Sequence, residues 1–113
     1  MVSLETVRKI SLTFPEAVEM PHFEKASFRV KKKIFATLDA KNKRCVVKLS
    51  PIDQSTFCSY DESIIYAIKG TWGKQGWTII ELKKVPRKLL EDLLITSYCE
   101  VAPEKLAKLV RNE

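Results

Sequence analysis

A chain of 113 residues with 45% apolar side chains has the size of one domain and can bury roughly two-thirds of the surface its unfolded form exposes, so residues 1–113 are read as a single unit. No apolar run approaches the ~18 residues of a membrane span, and the opening MVSLETVRKI is charged and amphipathic without a secretory apolar core; a cytoplasmic protein with no membrane partner is expected. The net charge is +6, from 20 Lys and Arg against 14 Asp and Glu, and the three cysteines (Cys45, Cys58, Cys99) have one histidine for company, which disfavours a disulfide framework and a zinc site and leads us to expect mostly buried thiols, no cofactor and no metal.

In chain order, Ser3 can cap a first helix in which Leu4, Val7, Ile10 and Phe14 recur at helical spacing, and Pro15 closes it. An antiparallel section follows. Phe28-Arg29-Val30 and Ile34–Leu38 are β-rich runs split by Lys31-Lys32-Lys33, and Asp39–Lys43 separates the second run from Arg44–Leu49. A two-residue first turn would pair Phe28 with Phe35, whereas a three-residue turn would pair it with Ala36. In the last of these runs Cys45, Val47 and Leu49 alternate with Arg44, Val46 and Lys48, so one face is apolar and the other carries charge.

Ser50 then caps a short helix with Pro51 at its first position. Ile64–Ile68 is an apolar run too short to assign. Trp77–Leu82 reads as a last strand, Pro86 opens a helix bearing Leu90, Leu93, Leu94 and Tyr98, and Pro103 opens another bearing Leu106, Leu109 and Val110. The order helix, antiparallel strands, C-terminal helices defines an α+β domain.

The stretch GTWGKQGW, residues 70–77, holds every glycine and both tryptophans. It lacks the GxxxxGK[ST] spacing of a phosphate loop and the GxGxxG of a dinucleotide site. Glycine every third residue ahead of a strand suits a sharp turn with close backbone approach. Trp77 is expected in the core. Trp72, between glycines and close to Lys74, either stacks on a base or partner or folds back onto the domain.

Charge placement says more than its sum. Between Lys25 and Lys48 stand nine basic residues against Asp39 alone, and Lys69, Lys74, Lys83, Lys84, Arg87 and Lys88 meet only Glu81. Such segregation points to a polyanion-facing side, with a merely solvated basic surface as the alternative.

Phe14-Pro15-Glu16-Ala17-Val18-Glu19, then His22-Phe23, Phe28-Arg29-Val30 running into Lys33–Leu38, Lys74-Gln75-Gly76-Trp77, and Ser97-Tyr98 ahead of Lys105-Leu106 together resemble the MmcQ/YjbR-like family over nearly the whole chain. The resemblance implies a frataxin-like (CyaY-like) α+β fold, an antiparallel sheet with an N-terminal helix and C-terminal helices. It also implies similarity to the double-wing DNA-binding domain of phage MotA, whose hairpins serve as wings. The family commonly has Asn-Gly or Gly-Gly in the first wing's turn, where this chain has Lys31 and Lys32 at a steric cost of roughly 1 kcal/mol each; either the loop is a residue longer here or the charge is worth the strain.

The expected function is therefore nucleic-acid binding, with duplex DNA the expected partner, weak sequence specificity and a monomeric state. Arg29, Lys31, Lys32, Lys33, Lys41, Lys43, Arg44, Lys69 and Lys74 would contact phosphates, and Trp72 would stack. The alternative is a basic module that docks an acidic protein partner. A Cys-His enzyme would have to pair His22 with Cys58 or Cys99 and has no motif for an orienting group. An iron-delivery role would need an acidic surface that the first helix does not supply.

Overall fold

The computed structural model describes residues 2–111. The chain runs α1 (Leu4–Thr13), β1 (Val18–His22), β2 (Lys25–Val30), β3 (Lys33–Asp39), β4 (Arg44–Lys48), α2 (Pro51–Cys58), β5 (Ile65–Ala67), α3 (Thr71–Lys74), β6 (Trp77–Glu81), α4 (Arg87–Val101) and α5 (Glu104–Arg111). All six strands pair antiparallel in one sheet, in the order β1-β2-β3-β4-β6-β5. The fold is α+β, with α1 ahead of the sheet and α4 and α5 after it.

Local chemistry sets the helix starts. The Ser3 hydroxyl accepts from the Thr6 N–H at 3.1 Å, and Ser50 does the same for the Asp53 N–H at 3.1 Å with Pro51 at the first helical position. Helix α1 stops at Phe14, whose backbone is extended ahead of Pro15.

The alternating faces of the strands then decide what is buried. Phe28, Val30, Ala36, Leu38, Cys45, Val47 and Ile80 line the inner face and are almost fully buried. There they meet Val7 of α1 and Leu90, Leu93, Leu94 and Tyr98 of α4. At the centre, the rings of Phe14, Phe35 and Tyr98 form a mutually contacting triangle with centroids 4.9–5.9 Å apart. The Tyr98 hydroxyl donates to the Pro15 carbonyl at 2.7 Å, which ties the end of α1 to α4.

The first hairpin resolves the register. Val30 pairs with Lys33, so the turn has two residues, and Lys31 and Lys32 hold φ of 51° and 71°. This is the mirror-image turn that matches strand twist, here made without glycine. Phe28 nonetheless pairs with Ala36, because a bulge between Arg29 and Phe28 leaves Phe35 as an extra residue on β3. The bulge breaks the alternation of β3 and lets Phe35 and Ala36 both be fully buried.

Strand β1 was not foreseen. It is an edge strand with Pro21 in it, a position proline tolerates because one side of an edge strand needs no ladder donor. It is held by Arg8 of α1, whose Nε lies 2.9 Å from Glu19, and by the Ser27 hydroxyl, which donates to the Met20 carbonyl at 2.8 Å.

Trp77 corrects the expectation of a core residue. The register of β6 on β4 sets Thr78 opposite Val47 and Ile80 opposite Cys45 on the inner face, which puts Trp77 opposite Lys48 on the outer one. Trp77 is half-buried. Of the thiols only Cys45 is fully buried; Cys58 and Cys99 are half-buried.

Candidate nucleic-acid interface

Successive turns of an antiparallel meander fall at opposite ends of the sheet, and this divides the candidate phosphate-binding residues in two. The proximal end holds the β2–β3 turn, the start of β3, the end of β4 and the connection into β6, since Lys33 pairs with Val30 and Lys48 with Trp77. The distal end holds the β3–β4 turn. Seven-residue β3 separates the two turns by about 20 Å.

Arg29, Lys31, Lys32, Lys33, Lys69, Trp72 and Lys74 are thus brought to the proximal end, and Lys41, Lys43 and Arg44 are left at the distal one. Their availability also differs. Lys31 is paired with Glu16 at 2.7 Å. Arg44 is paired with Glu81 at 2.9 Å, and Glu81 also accepts a short hydrogen bond from the Tyr66 hydroxyl. That bond and, above all, burial hold the Tyr66 phenol above its ordinary pKa. Lys32, Lys33, Lys41, Lys43, Lys69 and Lys74 are exposed.

Arg29 is held in place. Its Nε donates to the Ser27 hydroxyl at 3.0 Å, and Ser27 is itself fully buried. This fixes a guanidinium on the outer face of β2, with its fork free to take a phosphate or carboxylate in two bonds.

Residues 70–77 prove to be a structural turn that presents one aromatic ring. A Cβ on Gly73 would stand 1.7 Å from the Ile68 carbonyl oxygen, and one on Gly76, at φ 107°, would stand 1.9 Å from that of Leu49. The Leu49 N–H donates to the Gly76 carbonyl at 3.0 Å, so this backbone approach seats the turn against the end of β4. Gln54 of α2 braces it from the other side, donating to the Gly73 carbonyl and the Thr78 hydroxyl, each at 3.0 Å. Within this frame α3 is a single turn, and Trp72 on it is 62% exposed between Lys69 and Lys74.

Sequence reasoning missed two contributors. Lys48, Trp77 and the residues around them enclose a groove of about 510 Å³ at the proximal end, lined by Arg29, Lys32, Lys33, Ile34, Lys48, Trp77, Glu100 and Val101. Only the β4–β6 register brings Lys48 and Trp77 side by side. Glu81, which shares the parity of Trp77 along β6, was the available signal that this face is the outer one. A second groove, about 550 Å³ between α2 and β5, is lined by Cys58, Glu62, Ile65 and Tyr66 among others and carries no cation.

The His22–Cys58 pairing is dispersed. His22 stands on β1 and Cys58 on α2, which packs on β5; these are opposite edges of the six-stranded sheet, about 24 Å apart at ordinary strand spacing. Burial, and secondarily Glu62, raises the pKa of the Cys58 thiol, and burial alone pushes Cys45 up to about 12, the reverse of nucleophile activation. Among the described residues no three His, Cys, Asp or Glu side chains gather as a metal set, and no helix is long and apolar enough to cross a membrane.

An antiparallel sheet with helices against its inner face and a basic, partly aromatic proximal end defines an α+β domain of a recognised kind. A family model for YjbR matches residues 12–100, and the chain belongs to the YjbR family. In solved structures it is similar to Deinococcus radiodurans protein DR2400, which carries the family domain DUF419. That likeness has a TM-score of 0.80 and 23% identity, and covers 99% of this chain and 87% of that one. No curated protein matches the chain.

Proposed function

We propose that the protein binds nucleic acid in the cytoplasm through the proximal end of its sheet, and that it holds its ligand without transforming it. Duplex DNA is the expected form, gripped by its phosphates with weak sequence specificity. The carrying observation is convergence: Arg29, Lys32, Lys33, Lys48, Lys69 and Lys74 come from four separate segments to one end of the sheet, with the exposed Trp72 among them. Cations spread over such a surface release counterions from a polyanion, while an aromatic ring adds contact with a base or sugar.

The β2–β3 hairpin acts as a wing in the double-wing manner. Two lysines hold positive φ at its tip, a backbone cost that a neutral Asn-Gly turn would avoid, and placing charge there is what the strain accomplishes.

Fluorescence anisotropy with labelled duplex DNA, single-stranded DNA and RNA across a salt series tests this reading. Binding with a log K against log salt slope of about −4 is expected for four to five phosphate contacts. Lys32→Asn with Lys33→Ser should reduce the slope by about 2, whereas Lys41→Ser with Lys43→Ser should leave it unchanged. Absence of binding to all three at about 50 mM salt overturns the reading. If an acidic peptide binds in their place, the surface belongs to an acidic protein partner.

A further inference from the structure

The groove at the proximal end has a composition that a plain phosphate-binding surface does not need. Its lining combines a half-buried indole, Trp77, with two aliphatic side chains, Ile34 and Val101, four cations and one carboxylate, Glu100. Its volume of about 510 Å³ lies within the ~300–1,000 Å³ range of small-molecule sites. We propose that this groove seats one unpaired nucleotide of the bound nucleic acid, its base against Trp77 and its phosphate on the cationic rim. The proposal rests on the nucleic-acid reading above and specifies the form of its ligand.

Three features carry it. An indole face stacks well on a base, and a base inside a duplex has both faces covered by its neighbours, so a base that stacks on Trp77 is one that has left the duplex stack or never entered it. The walls are polarised. Arg29, Lys32, Lys33 and Lys48 come to the groove from the sheet and the β2–β3 turn and Glu100 comes to it from α4, and a carboxylate there repels a phosphate and can accept from the exocyclic amino group of a base. The floor is also pre-built, because the β4–β6 register fixes Trp77 beside Lys48 and the Ser27 hydroxyl fixes Arg29. A ligand therefore finds the guanidinium held in place and the indole on a fixed strand position.

The test compares a blunt duplex with the same duplex carrying a three-nucleotide single-stranded overhang, with affinities read by anisotropy in the wild-type protein and emission read in a Trp72→Phe protein, where Trp77 is the one remaining tryptophan. The overhang should raise affinity by about tenfold and quench Trp77 emission, and deoxynucleoside monophosphate at millimolar concentration should quench it too. Trp77→Ile, chosen to keep a strand-forming apolar residue, should abolish the overhang preference while blunt-duplex affinity and its salt slope persist. Its melting temperature and circular dichroism would establish that it is folded. Equal affinity for blunt and overhang duplexes, or overhang binding without Trp77 quenching, overturns the nucleotide seat and leaves the basic surface standing. Failure of both duplexes to bind the wild-type protein overturns the seat, and the nucleic-acid reading falls with it only if single-stranded DNA and RNA fail as well.

Discussion

The ammonium of Lys31 lies 2.7 Å from the carboxylate of Glu16, and both residues hold positive φ, 51° and 58°. The tip of the hairpin and the turn that follows α1 are thus joined by an ion pair whose two members both occupy unfavourable backbone. Each side chain is about half exposed, 54% and 52%, so the pair contributes at most ~1 kcal/mol. It does neutralise the first lysine of the turn.

Lys31 and Lys32 should therefore behave differently although they are neighbours with similar strain. Lys32→Gly should gain roughly 1 kcal/mol of stability in urea denaturation, since a left-handed residue loses its Cβ clash, and Lys31→Gly should gain less because it also loses the ion pair to Glu16. Lys32→Gly should weaken DNA binding more than Lys31→Gly, and Glu16→Gln should strengthen binding by releasing Lys31. Equal losses from the two glycine variants would mean that the ion pair opens on binding.

At residues 70–77 the prediction separates frame from display. Gly76→Ala must both hold φ 107° and fit a Cβ 1.9 Å from a backbone oxygen, so it should cost more than about 2 kcal/mol or unfold the domain. Trp72→Ala, at 62% exposure, should cost under about 1 kcal/mol while weakening nucleic-acid binding. A thermal melt of each variant beside an anisotropy titration checks both. A large loss of stability in Trp72→Ala would assign that ring to the fold.

The helix caps, the place though not the length of the β2–β3 turn, and the face alternation of β4 were legible because each depends on a few adjacent residues. Ser3, Ser50 with Pro51, and Cys45-Val47-Leu49 announce themselves locally. What could not be read is non-local. The bulge that pairs Phe28 with Ala36 follows from how Phe35 packs against Phe14 and Tyr98, contacts spanning α1, β3 and α4. Strand β1, with Pro21 and four exposed positions, has no alternation to reveal it and exists because β2 offers it a ladder. The division of the basic residues between two ends was implicit in two consecutive hairpins, whose tips cannot share an end. The partnership of Lys48 with Trp77 needed the strand order, which sequence alone leaves open.

Cys45 carries a thiol that no mechanism uses, and its complete burial makes it a reporter of the core. An ordinary thiol titrates near 9.0, and complete burial pushes this one up to about 12. The native state therefore keeps its proton where the unfolded chain has lost it. That stabilisation is fully present below about pH 9 and is lost progressively as pH rises from about 9 to 12, at up to ~1.4 kcal/mol per unit. Cys45→Ala removes the titrating group and leaves a small cavity, so at about pH 7 the variant should be less stable by ~1 kcal/mol. By about pH 10.5 the wild-type chain has forfeited roughly 2 kcal/mol of the thiol's contribution, and the variant should then be the more stable of the two. Lysine and tyrosine ionisation acts on both proteins alike, so the crossing of their urea midpoints isolates Cys45. Curves that stay parallel from pH 7 to 10.5 would show that the thiol reaches solvent before the sheet opens.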